Sequence, residues 1–375
     1  LIGQIDFMLD FDTAGFAHSV VAGVEGSTEE ARNRRRLDAN GPATNLFGPL
    51  LRAADPIPFN GTSVETQTDV LSAYVFDTIE LMPQLLLSGG IRFDHVETDV
   101  ESFDETGTLP GFVVDFSRDD DEVSGNLGLV YKPVENASFY AAWGTSFETN
   151  ARAEIVQLAG GNNNPPVTPA NFNVDPERTR SFEVGAKWNT PDDRLSLTAA
   201  LFQIKKVDAR TPGADPSDPP VVLDGEQRIR GIELGAVGAL TQNWNIFAGY
   251  TYLDGEVTKS NRAFEIGQRL PLTPKHSVSL WTSYHVLPEL NLGGGLQYVG
   301  ARTSNIAANN TGRIPITVED YVVIDLFAEY RFSDYISGRV NLDNVTDKFY
   351  FDAVASGQSV PGAARAFRAA IIADF

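Results

Sequence analysis

Four arginines stand within five residues at Arg32-Asn-Arg-Arg-Arg36, in a chain whose formal net charge is -21. A guanidinium carries a fixed charge, several donors in one plane and a flat face that stacks on rings. The same stretch continues with Phe47, Arg52 and Phe59, so charge and ring surface are interleaved. The chemistry on offer is capture of an anion by an electrostatic lure. The plainer alternative is a solvated cluster pairing with Glu29, Glu30 and Asp38, or with phosphates at a membrane surface.

Other reactive groups offer less. His18, His95, His276 and His285 are scattered and show no metal-ligand spacing. Asp119-Asp-Asp-Glu122 could hold a divalent cation, but reads better as a solvated edge where a loop enters a strand. Gly293-Gly-Gly295 has no helix after it and so forms no phosphate cradle. The chain has 0 Cys, which removes disulfides, thiolate metal sites and cysteine nucleophiles together. No Ser-His-Asp constellation or nucleophile elbow stands out, so neither an enzyme nor a cofactor is expected. The negative charge also argues against a nucleic-acid partner, whose phosphates demand a basic surface.

The elements that must position these residues are strands. Leu290, Leu292, Gly294, Leu296 and Tyr298 alternate with Asn291, Gly293, Gly295 and Gln297. Val322, Ile324, Leu326, Ala328 and Tyr330 likewise alternate with Asp325, Glu329 and Arg331. Such period-two patterning predicts about fifteen strands, near 1–11, 17–28, 65–81, 84–99, 120–132, 137–149, 178–189, 194–209, 222–239, 243–257, 275–287, 289–302, 319–332, 335–347 and 364–375. The mean hydropathy of -0.16 looks like that of a soluble protein, yet a spanning strand shows lipid only at every second residue. The connections separate a soluble sandwich from a membrane barrel. Short ones near 12–16, 82–84, 132–136, 189–193, 239–242, 287–289 and 332–334 alternate with long ones at 29–64, 100–119, 150–177, 210–221, 258–274 and 303–318. Barrels of bacterial outer membranes have short periplasmic turns and long extracellular loops.

The fold class is therefore all-β, a transmembrane antiparallel β-barrel. Trp244, Tyr250, Tyr252, Tyr284 and Tyr298 sit near predicted strand ends, where aromatic girdles belong. The terminal strand Ala364–Phe375 puts Phe367, Ile371 and Phe375 on one face. Its first residues, Leu1-Ile-Gly-Gln-Ile-Asp6, are already strand-like rather than a secretory signal, so residue 1 is expected to lie inside a longer chain. With an odd strand count the first and last strands both run downward, and further strands are expected upstream.

Particular phrases go beyond patterning. Tyr74-Val-Phe-Asp-Thr-Ile-Glu-Leu81 with Gly90-Ile-Arg-Phe-Asp94, and Val130-Tyr-Lys-Pro133 with Ser138–Phe147, resemble strand signatures of TonB-dependent siderophore receptors. So do Asp175–Trp188, Arg230-Gly-Ile-Glu-Leu-Gly235, Thr273-Pro-Lys-His-Ser-Val-Ser-Leu-Trp281, Asn341–Tyr350 and Pro361-Gly362. In order along the chain they are most similar to the catecholate receptors of that family. The resemblance implies a plugged barrel of about 22 strands, of which residues 1–375 supply the C-terminal part without plug or first strands. It implies import of a ferric siderophore, energised by the TonB-ExbB-ExbD complex through the plug. Outer-membrane lipid, lipopolysaccharide and the barrel assembly machinery are the other implied partners, the last reading Phe375 as its signal.

A ferric tris-catecholate is a trianion with flat faces, bound by cations and rings rather than by protein ligands to iron. On that reading Arg32, Arg34, Arg35, Arg36, Phe47 and Arg52 contact the ligand, joined by Phe147, Arg152, Phe172, Arg302 and Arg313 near other extracellular ends. Haem, cobalamin or oligosaccharide import and a passive porin are the alternatives. Haem receptors of the family carry a loop histidine that the matching stretch Ser146–Glu177 lacks.

Overall fold

Turn chemistry interrupts the alternation at short intervals, and the chain reverses at each interruption. The computed structural model describes residues 1–36, 59–104, 114–149, 174–211, 222–304, 316–355 and 358–373. In chain order the strands are β1 (Ile2–Thr13), β2 (Phe16–Arg36), β3 (Phe59–Met82), β4 (Leu85–Asp104), β5 (Val114–Val134), β6 (Ala137–Glu148) and β7 (Glu177–Asn189). They continue as β8 (Leu195–Thr211), β9 (Val222–Thr241), β10 (Trp244–Lys259), β11 (His276–His285), β12 (Leu290–Val299), β13 (Arg302–Thr303) and β14 (Thr317–Val318). The last are β15 (Tyr321–Arg331), β16 (Ile336–Asp343), β17 (Phe351–Ala355), β18 (Gln358–Pro361) and β19 (Ala366–Ala373). Fifteen of them form one antiparallel sheet in the order β1 to β12, β15, β16, β19, while β13–β14 and β17–β18 pair as separate short hairpins.

The tight turns fall where they are expected. At the first, Ala14 and Gly15 both have positive φ (54° and 89°), the type I′ geometry that matches strand twist. The long connections are shorter than predicted. β2 runs on to Arg36, β3 begins at Phe59, and β5 begins at Val114 rather than near 120. Beyond the lipid both sheet faces meet water, so hydropathy stops alternating while the backbone ladder continues.

Register separates the faces. Ile5, Val24, Ala73 and Phe93 lie directly opposite one another on β1 to β4, and Val123 extends the row on β5. Val184, Leu201, Ile232 and Tyr252 make a similar row on β7 to β10. This face is apolar. The other carries Gln4, Glu25, Ser72, Asp94 and Glu122 in one row, and Asn291, Glu329 and Arg339 in another. Apolar out and polar in is the pattern of a barrel around an aqueous or plugged lumen. Trp244 pairs with Tyr284 beside the periplasmic turns, and Tyr252 and Tyr298 sit toward the opposite end of the apolar face. Tyr250 shares the row of Tyr298, both opposite Val278, and its hydroxyl is 2.9 Å from His276 Nδ1.

The lumen face has its own packing device. Trp281 lies over Gly295, its direct cross-strand partner, and a methyl there would sit 2.3 Å from the ring. Phe202 lies over Gly231 and Tyr140 over Gly185 in the same way. Trp281 also stacks on Phe327 at 5.5 Å with the rings 2° from parallel, and the Arg339 guanidinium caps Phe327 at 4.6 Å. The fully buried apolar side chains Val64 and Val100 pack with Phe116 in the tall part of β3 to β5.

Candidate functional site

The long connections gather at one edge of the sheet, the extracellular edge, and most of the predicted contact residues belong there. Arg32 is on a strand, not a loop. It lies opposite Glu65 of β3, and its Nε donates to Glu65 Oε1 at 2.8 Å. Both partners are half exposed, so the pair is worth about 0–1 kcal/mol. The backbone of Arg34, Arg35 and Arg36 continues β2 with an irregularity before Arg36, while their side chains lie outside the described part of the structure. Phe47, Arg52, Arg152, Phe172, Arg313 and Phe375 also lie outside the described residues.

The acidic run Asp119–Glu122 is strand, and strand alternation divides it. Asp120 and Glu122 are buried. Arg118 Nε reaches both carboxylate oxygens of Asp120 at 2.8 Å, and Arg178 Nη2 donates to Glu122 at 2.9 Å. Asp121 lies opposite His95, whose ring holds Asp121 at 2.7 Å and Glu97 at 3.3 Å. The run is thus half solvated edge, at Asp119 and Asp121, and half buried ion pair, at Asp120 and Glu122, and among the described residues no group of acids and histidines could hold a metal ion.

Phe147, at the end of β6, lies opposite Arg178. Beside it, Lys206 bridges Glu148 at 3.1 Å and Glu177 at 3.0 Å. The charges around Phe147 are therefore committed to one another.

Arg302 is buried, at 6% exposure, and acts as a tie. Its Nη2 donates to the carbonyls of Phe351 at 2.8 Å and Asp352 at 2.9 Å, joining the β13–β14 hairpin to β17–β18. Its guanidinium lies 5.7 Å from the centre of the Tyr321 ring. Between the hairpins is a cavity of about 470 Å³ walled by Tyr321, Phe349, Tyr350 and Phe351, with Lys348, Glu319 and Asp320 also lining it. The Tyr321 and Tyr350 rings are 4.4 Å apart, and burial keeps the Tyr350 phenol above its ordinary pKa. Such walls accept a flat ring and put charges of both signs at its edge.

Asn344 ties down the segment that brings Lys348 to the cavity wall. It is buried with φ 46°, and its Nδ2 donates to the carbonyls of Lys348 and Ala363, both at 2.9 Å. Its Oδ1 accepts from Lys348 N at 2.9 Å and its backbone N–H donates to Asp325 Oδ1 at 2.7 Å. Tyr350 then rests against Gly362, where a methyl would sit 2.0 Å from the ring. The phrases Asn341–Tyr350 and Pro361-Gly362 were the signal for this site, although they gave no hint that their rings enclose a cavity.

The lumen wall carries a further network that spacing alone does not reveal. Arg92 reaches Glu25 at 2.9 Å, Asp94 at 2.7 Å and Ser72 at 2.7 Å from three strands. Ser72 donates to Asp94 at 2.6 Å, and the Tyr74 hydroxyl donates to Asp6.

Comparison with known proteins agrees with this geometry. The family model described as TonB dependent receptor-like, beta-barrel matches residues 2–345. A probable TonB-dependent siderophore receptor, PiuA of Acinetobacter baumannii, is 34% identical over 322 residues, covering 83% of this chain and 40% of the relative. The catecholate siderophore receptor Fiu of Escherichia coli strain K12 is 28% identical over 387 residues, covering 98% of this chain and 50% of that protein. The crystal structure of Fiu in its closed form superposes with a TM-score of 0.84 at 25% identity, covering 99% of this chain and 54% of that one. The chain spans about half the length of the relatives it matches.

Proposed function

This chain belongs to the TonB-dependent receptor β-barrel family, and from that premise we propose that it is the ligand-gathering wall of an outer-membrane importer of ferric siderophores, catecholates in particular. Members of the family are transporters of the Gram-negative outer membrane, not enzymes. The observation that carries the reading is the similarity to Fiu, which runs through 98% of the chain and includes the strands that frame the extracellular hairpins. The ring-walled cavity between β13–β14 and β17–β18 supports it, since a catechol is a flat ring with polar groups at one edge.

On this reading residues 1–375 form part of a larger barrel of about 22 strands. Energy coupling to the TonB-ExbB-ExbD complex then acts through a plug enclosed by the strands. The arginines of β2 draw the trianion toward the mouth, and Phe147 and the remaining predicted residues other than the buried Arg302 line its path.

Uptake of ferric catecholate and ferric hydroxamate complexes by iron-limited cells carrying the full-length receptor tests this directly. The expected result is growth and iron uptake with catecholates only, lost when the TonB system is deleted. Equal use of hydroxamates would sink the catecholate assignment, and TonB-independent uptake would sink the transport mechanism.

A further inference from the structure

The cavity between the β13–β14 and β17–β18 hairpins carries a charge that its ring walls do not explain. Tyr321 and Tyr350 touch, with 4.4 Å between ring centres, so nothing enters between them and together they form one ring surface. Phe349 and Phe351 meet edge to face at 5.3 Å and add a second wall. The charged side chains lining the cavity, among the described residues, are Glu319, Asp320 and Lys348. All three are exposed, and none makes an ion pair among the described residues. Two carboxylates against one ammonium leave one negative charge on the lining. Arg302 is not part of that lining, and its Nη2 is bonded to the carbonyls of Phe351 and Asp352.

That sign selects among ring ligands. A concave wall with excess carboxylate focuses a field that repels an anion and draws in a cation. A bare ammonium would fill little of about 470 Å³, a volume in the range of small-molecule pockets. A flat ring with an ammonium on a short arm uses both features. The ring packs on Tyr321 and Tyr350 in an offset or edge-on contact, and the ammonium meets carboxylates and ring faces, which attract cations. Thr317 and Ser359 add hydroxyls to the lining, suited to hydroxyls on the ring. The ties made by Arg302 and Asn344 hold the walls in place before a ligand arrives, which lowers the ordering cost of binding.

We infer that this cavity is a binding site for a catechol or phenol ring that carries an ammonium group, with Glu319 and Asp320 meeting the ammonium and Tyr321 and Tyr350 the ring. The carboxylates accept charge-assisted hydrogen bonds from the ammonium. Recognition is of ring and ammonium and needs no metal. The use of the site in iron uptake rests on the receptor reading above, since a catechol chelates iron through its two ring oxygens. Its chemistry does not, so either can fail alone.

The test uses the purified full-length receptor in equilibrium dialysis with two iron-free probes. Dopamine carries the catechol ring and an ammonium, whereas homoprotocatechuate carries the same ring and a carboxylate. Dopamine is expected to bind about tenfold more tightly or better. Glu319→Gln/Asp320→Asn alters two exposed side chains and should lower dopamine affinity about tenfold while leaving or raising that for homoprotocatechuate. Lys348→Gln should raise dopamine affinity. Asp69→Asn/Asp119→Asn removes as much charge on β3 and β5 and should change neither, which separates a local effect from one of net charge. Absent dopamine binding, equal affinity for the two probes, or dopamine affinity unchanged in Glu319→Gln/Asp320→Asn would each overturn the site. Loss of ferric catecholate uptake by cells with dopamine binding intact would instead sink the receptor reading and leave the site standing.

Discussion

At the scale of single residues, composition and role part company. Arg302 was expected to touch an anionic ligand, yet its Nη2 is spent on the carbonyls of Phe351 and Asp352 and its face on Tyr321. A sequence shows that a cation is present near a loop; it does not show which neighbouring carbonyls lack a donor. The same holds for Arg118 and Arg178, claimed by Asp120 and Glu122. Arg302→Lys keeps the charge but loses the guanidinium whose Nη2 reaches both carbonyls while its plane faces Tyr321. A charged donor to a neutral acceptor contributes about 1.5–3 kcal/mol, so the β17–β18 hairpin should loosen from β13–β14. Limited proteolysis of the full-length receptor should then cut within 344–365 several-fold faster, and an unchanged rate would remove the tie from this account.

At the scale of elements, nearly all of the framework was legible. The order of the fifteen sheet strands and the seven short turns follow from period-two patterning and turn residues, as the register shows. The tall ends of β2 to β5 were not legible, because polar side chains on both faces erase the pattern while backbone pairing goes on. The paired glycines and rings were also hidden, since a glycine mid-strand announces close approach but not by what. Gly295→Val tests this device. The added side chain would enter the Trp281 ring, and the stack on Phe327 and Arg339 would have to open. Overpacking of this kind costs about 1–3 kcal/mol. A drop of that order in the unfolding free energy of the folded barrel, accompanied by a change in tryptophan fluorescence, is the expected result. Gly3→Val, at a position with open space around it, should cost much less.

At the scale of the whole molecule, the assignment of an inside and an outside carries every other conclusion. It rests on register: one face of the sheet is apolar except for the paired His18 and Asp77, and the other is polar. Leu280 and Ser279 are adjacent in β11, and the pairing sends them to opposite faces, Leu280 with Ala248 and Leu296, Ser279 with Gly249 and Gln297. Leu280 also lies midway along its strand, His276–His285, and so at the middle of the hydrocarbon. A lysine on the lipid face at that depth costs about 2–4 kcal/mol, whereas a lumen-facing lysine finds polar neighbours. Leu280→Lys should therefore destabilise the full-length receptor folded into phospholipid vesicles by that amount in a denaturant titration, and Ser279→Lys should cost far less. Reversal of the two outcomes would invert the barrel, and with it the lumen network around Arg92.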